Sequence, residues 1–136
     1  MPTMKTSPAS QQAATPIMDT LEQVLLQAIS HHQAGRIEIA EDLYRTILEV
    51  QPQHPQANYQ LGLLAVQVNQ AENGLPHFAA ALQAQPEQVR YWLTYIDALI
   101  QADEIEIARQ FLVLGRQHGL QGDAVEVLAA QLEARK

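Results

Sequence analysis

Apolar residues recur at helical spacing from Leu21 to the end of the chain. Leu21, Val24, Leu25, Ala28 and Ile29 lie three or four apart, which gathers their side chains on one face of a helix. Gln33-Ala34-Gly35-Arg36 interrupts the pattern, and Ile37, Ala40, Leu43, Tyr44, Ile47 and Leu48 restart it. So short an interruption can only fold the second helix back on the first as an antiparallel hairpin. Pro55 suits the first turn of a third helix, where its missing N–H is no loss, and Tyr59 to Val68 continue it up to Asn69-Gln70. Further on, Val89, Trp92, Leu93, Ile96, Leu99 and Ile100 form one helix, and Ile105, Ala108, Phe111 and Leu112 the next. Gly119 suits a left-handed C-cap, and Asp123 with Glu126 resembles a capping-box start for a last helix carrying Val125, Val127, Leu128, Ala129 and Leu132. Asp19-Thr20-Leu21-Glu22 is a similar start for the first. The pattern predicts seven helices near 19–33, 37–50, 55–68, 72–84, 87–101, 105–118 and 123–135.

The helices repeat with a period of 34 residues. Tyr44, Phe78 and Leu112 form a column of large residues, and Ala40, Gly74 and Ala108, one helical turn before them, a column of small ones. Leu43, His77 and Phe111, Ile37, Ala71 and Ile105, and the pairs Gln51-Pro52 and Gln85-Pro86 keep the same register. Small residues let neighbouring helices approach, and the large ones fill the space beside them.

These columns, with Pro52 and Pro86 closing units, Leu61-Gly62 in the second and Trp92 in the third, resemble the tetratricopeptide repeat family over residues 21 to about 120. The first unit departs from the family pattern at Val24, Gln27 and His31, and the third at Leu120, where a proline is usual. Terminal repeats of solenoids are commonly atypical. The resemblance implies an all-α fold: three helix-turn-helix hairpins, about 21–54, 55–88 and 89–122, in a right-handed superhelix, closed by a capping helix at 123–135. It also implies a concave face lined by the first helix of each hairpin, with the second, fifth, ninth and twelfth positions of each unit turned to a ligand. On that basis Leu25, Ile29, Tyr59, Leu63, Arg90, Leu93 and Asp97 are the candidate partner-binding residues. Family members that grip a chaperone's C-terminal carboxylate use Lys, Arg or Asn there, because a carboxylate needs charge-assisted donors. The fifth and ninth positions here carry none, and the lining is mostly apolar. The alternative occupants of that lining are the capping helix, the N-terminal tail or a second copy of the chain.

A finer resemblance touches His32–Leu48 and Tyr91–Ile100, which look like the N-terminal repeats of bacterial glycosyltransferases of the O-linked N-acetylglucosamine type. In those proteins the repeats position a protein substrate and a separate domain performs the transfer.

Composition narrows the function. Hydrophobic residues make up 47% of the 136, enough for one packed domain. Fifteen acids against eight Lys and Arg give a net charge of −7, and the arginines are dispersed, so nucleic acid is not an expected partner. There is no cysteine, which excludes disulfides, thiolate metal sites and thiol nucleophiles. No apolar run is long enough to span a bilayer, and Met1 to Thr15 has no apolar signal core, so the expected setting is cytoplasmic, away from membranes. Residues 1–18 read as a flexible polar tail punctuated by Pro2 and Pro8.

No catalytic constellation emerges. His31 and His32 are adjacent and point about 100° apart on a helix, and His54, His77 and His118 have no partner at ligand spacing, so all five read as surface or partly packed residues. Ser7 and Ser10 lie in the tail without a fixed base. Glu41-Asp42 and Asp103-Glu104 read as solvated helix faces, with Glu41 and Arg45 at a favourable i, i+4 offset. The expected function is therefore non-enzymatic: a cofactor-free, metal-free module that binds a protein or peptide, and that can pair with its own copy.

Overall fold

A computed structural model describes residues 17–135, the first three by backbone alone. Seven helices follow one another: α1 (Ile17–Gln33), α2 (Ile37–Val50), α3 (Pro55–Gln67), α4 (Ala71–Ala84), α5 (Val89–Gln101), α6 (Ile105–Gln117) and α7 (Asp123–Ala134). Every boundary falls within two residues of the expected one, and no strand occurs among the described residues. Residues 1–16, most of the expected tail, lie outside the described residues.

The three hairpin turns share one backbone device. Gly35, Asn69 and Asp103, spaced 34 apart, all have positive φ, at 84°, 63° and 63°. Glycine adopts this conformation freely, and Asn and Asp tolerate it better than other residues. The reversal lets Arg36 N donate to His31 O, Gln70 N to Ala65 O and Glu104 N to Leu99 O, at 2.8–2.9 Å, which satisfies carbonyls left over at each helix end. Asp103 is thus a turn residue rather than part of a solvated helix face. Gly119 does take the expected left-handed conformation, at φ 97°, and Leu120 N donates to Gly115 O at 2.8 Å. The capping box does not form: Gly122, at φ 121°, is the N-cap of α7, Asp123 is already helical, and Glu126 turns to Arg116 at 3.2 Å instead.

Packing follows the small and large columns. Ala40, Gly74 and Ala108 are all buried, as are Tyr44, Phe78 and Leu112. Two apolar clusters result. Leu21, Leu25, Ala28, Tyr44 and Ile47 join Ala57, Leu61 and Leu64 of α3 in the first. The second takes Tyr59 from the same helix and runs through Phe78, Trp92, Ile96, Leu99 and Leu112 to Val125, Leu128 and Leu132 of α7. Helix α3 is therefore the wall between the two, buried on both sides. Helix α7 closes the array: its buried Val125, Leu128 and Leu132 join the cluster of the third hairpin, while Val127 and Glu126 stay exposed and Arg109 Nη2 donates to Leu132 O at 3.2 Å.

A polar knot joins the first and second units. His54 Nδ1 accepts from Ala57 N at 3.1 Å and so caps α3. Asn58 Nδ2 donates to Pro52 O and His54 O, which leaves its Oδ1 to accept from His77 Nδ1 at 3.0 Å and fixes that tautomer. His54 is buried at 8% exposure, so it is not the surface or partly packed residue the sequence suggested. Burial lowers the pKa of His54 below 6.5 against the opposing pull of its own backbone and of Glu22. Burial also lowers His77, helped by the nearby Arg45 charge.

Both histidines take up a proton less readily in the fold than in the unfolded chain. Stability should therefore fall as pH drops below the unfolded value near 6.5. Urea midpoints measured between pH 7.5 and 5 should decline, and His77→Gln should make the decline shallower. A second expectation concerns Gly74, where an added Cβ would meet Gly62 O at 2.9 Å and Gly62 Cα at 3.2 Å. Gly74→Ala should cost about 1–3 kcal/mol in equilibrium unfolding, although alanine occupies the same column at Ala40 and Ala108.

Candidate peptide-binding surfaces

The candidate residues on the first helices of the hairpins do not form one exposed strip. Leu25 and Tyr59 are buried, at 5% and 8% exposure, and belong to the two separate clusters. Tyr59 packs against Phe78 and Tyr91, with ring centres 5.8 and 4.8 Å away, and its hydroxyl shares a 3.0 Å hydrogen bond with Thr94. Ile29 is half-buried against the first cluster, and Leu63 and Leu93 are half-buried against the second. Arg90 is exposed. Asp97 is half-buried and accepts from Gln101 Nε2 at 2.7 Å. The accessible part of the expected groove is therefore Ile29, Leu63, Leu93, Arg90 and Asp97, with the buried pair supporting them from below.

A polar seam missed by the sequence reading runs beside these residues. His32 Nε2 donates to Gln67 Oε1 at 2.8 Å, and its Nδ1 is left to accept from the Tyr44 hydroxyl at 3.0 Å. This chain ties α1 to α2 and α3. Burial pushes the Tyr44 hydroxyl up to about 12, so it keeps its proton throughout the physiological range. Gln33, Gln67 and Gln101, the last residues of α1, α3 and α5, recur every 34 positions, a signal that was present in the sequence.

A second surface lies on the other side of α5. At about 100° per residue, Trp92 and Tyr95 point away from Arg90, Leu93 and Asp97. There they floor a pocket of about 340 Å³ between α4 and α6, walled by Leu82, Pro86, Phe111 and Leu114. Trp92 Nε1 donates to Pro86 O at 2.7 Å, and the His118 ring lies 5.5 Å from the indole. Burial raises the Tyr95 pKa, so its phenol keeps its proton.

Among the described residues, no group of His, Asp or Glu is placed to hold a metal ion, and no helix is long and apolar enough to cross a membrane. His32, His54 and His77 are each committed to hydrogen bonds within the fold.

No curated protein matches the sequence. Solved structures share the fold at low identity. The type III secretion translocator chaperone SycD of Yersinia enterocolitica superposes with a TM-score of 0.76 at 17% identity, over 96% of this chain and 93% of that one. SycD in complex with a peptide of the translocator YopD gives 0.71 at 19%, over 85% and 92%. The TPR2B domain of yeast Sti1, in its Hsp70 complex, gives 0.73 at 14%, over 85% and 98%. The model of the tetratricopeptide repeat matches residues 25–67 and 59–112, together more than half of the chain. With the 34-residue columns and the stacked hairpins, this match makes the chain a member of the tetratricopeptide repeat family.

Proposed function

We propose that the chain is a non-enzymatic binding module that holds a peptide or short helix of a partner protein against the first helices of its hairpins. The observation that carries the reading is the set of half-buried apolar residues, Ile29, Leu63 and Leu93, left on α1, α3 and α5 beside the charges Arg90 and Asp97. Apolar side chains offer non-directional contact, and the two flanking charges orient a ligand without supplying most of its affinity. SycD with its YopD peptide and the Sti1 domain with Hsp70 share this fold and hold partner segments, which supports the reading by analogy. A second reading, a substrate-positioning region of a glycosyltransferase of the O-linked N-acetylglucosamine type, rests on the stretches His32–Leu48 and Tyr91–Ile100 alone. A gene continuing past Lys136 into an α/β catalytic domain would favour it.

Peptides selected by display on the wild-type chain should carry apolar anchors and lose little affinity between 50 and 500 mM salt. Leu63→Glu should weaken them by more than about 1 kcal/mol while leaving the melting temperature within a few degrees. Unchanged affinity in a folded Leu63→Glu chain would remove this face from consideration. Sedimentation of both proteins distinguishes a groove filled by a second copy, because Leu63→Glu would then shift a dimer to monomer.

A further inference from the structure

The aromatic lining of the pocket between α4 and α6 exceeds what the repeat requires. One unit earlier, 34 residues back, Asn58 stands in place of Trp92, Leu61 of Tyr95, His77 of Phe111 and Ala84 of His118. That unit folds with the same pair of helices. The hydrogen bond from Trp92 Nε1 to Pro86 O has its counterpart in Asn58 Nδ2 donating to Pro52 O, so an amide meets that structural need without a ring. The recess that shares the corresponding Arg45, Leu61 and His77 mixes polar Glu41 and Asn73 with aliphatic Ile37, Leu64 and Val68 and holds no benzene or indole ring. Only the third unit surrounds its recess with indole, phenol, phenyl and imidazole rings.

The pocket continues outward along α6. Leu114 is 40% exposed and Val113 56%, and both line an adjoining hollow with Gln110 and Gln117. The two arginines of α6 are already engaged, Arg109 by Glu106 at 2.6 Å and Arg116 by Glu126 at 3.2 Å. Glu87, which follows the lining residue Pro86 in the chain, is exposed and forms no ion pair among the described residues. The volume lies at the lower end of the roughly 300–1,000 Å³ typical of ligand pockets, which suits one bulky side chain better than a large cofactor. Its surroundings offer an unpaired acid and neutral amides, on a molecule of net charge −7. A second copy would meet that same negative charge, whereas a cationic segment is drawn to it.

We propose that this pocket is a docking site, separate from the α1–α3–α5 face, for a basic amphipathic helix of a partner protein. The helix seats one large apolar side chain among Trp92, Tyr95, Phe111 and Leu114 and sets a Lys or Arg beside Glu87. It lays a second apolar residue along Val113.

Trp92 is the sole tryptophan, so its emission reports on this site directly. The probe is a synthetic helix of roughly 14 residues with a leucine stripe on a lysine background, titrated into the full chain. Its binding should change Trp92 emission, and the same peptide with Glu for every Lys should bind at least about tenfold more weakly. Leu114→Gln, at an exposed position that folding does not need, should weaken the lysine peptide about tenfold, and Glu87→Gln a few-fold with a flatter salt dependence. Leu63→Glu should leave it unaffected, so failure here and failure of the other face are separate results. Three outcomes overturn the proposal by showing no such site: no change in Trp92 emission, no effect of Leu114→Gln in a chain of unchanged melting temperature, or equal binding of the acidic peptide. Two others overturn it by naming another occupant. Emission that depends on protein concentration, and ceases to in Leu114→Gln, assigns the pocket to a second copy. Displacement of the probe by a synthetic Met1–Pro16 peptide assigns it to the chain's own N-terminal segment.

Discussion

Everything in this fold depends on helix backbones being able to come close at one residue in each hairpin. Ala40, Gly74 and Ala108 are buried where the second helix crosses the first, and the large residue one turn later fills the space that the approach encloses. The constraint is tightest between α3 and α4. There Gly62 faces Gly74, and a Cβ on Gly62 would stand 2.5 Å from the Phe78 ring. Because the interior is close-packed, the small residue and the ring are one device: neither position has slack to absorb a change at the other. The hairpin turns serve the same end, since the left-handed residue at Gly35, Asn69 and Asp103 sets where each second helix begins its return.

The packing columns and the helices were legible in the sequence, and the polar roles of single side chains were not. The 34-residue columns located the hairpins because the same packing need recurs three times in one register, and Gly119 with the apolar spacing after Asp123 located the closing helix. Asp103 was misread because an acid beside another acid resembles a solvated face, and only its alignment with Gly35 and Asn69 reveals a turn. His54 was misread for a different reason: its role depends on a backbone N–H three residues on and on burial in the folded array, neither of which spacing encodes. The groove residues show the limit of carrying positions across a family. Helical phase places Leu25 and Tyr59 toward the ligand face, but the packing of neighbouring helices decides how much of each remains uncovered. Tyr59 is overlaid by Phe78 and Tyr91, and the accessible surface passes to Leu63 and Leu93.

The two faces of α5 illustrate how a repeat diversifies without changing its frame. One face carries Arg90, Leu93 and Asp97, a mixture suited to orienting a ligand, and the other carries Trp92 and Tyr95 over a recess. The bond to the carbonyl of Pro52 or Pro86 is kept in both units, by an amide in one and an indole in the other. Chemistry can thus vary at a position whose structural contribution is conserved by a single hydrogen bond. The ion pairs Arg45–Glu41, Arg109–Glu106, Arg116–Glu126 and Arg135–Asp103 lie at the surface, where such pairs are worth roughly 0–1 kcal/mol each, so they do not hold the array together.

Helix α3, buried on both sides, bears on how the chain folds during synthesis. The first cluster needs nothing beyond Leu64, so the first hairpin and α3 have all their mutual partners once the chain through α3 has emerged from the ribosome. The second cluster then assembles on the opposite side of a helix that is already in place, and α7 arrives last. Each step adds contacts to the one or two preceding helices and asks for no distant segment, so the nascent chain can acquire its structure in the order in which it is made.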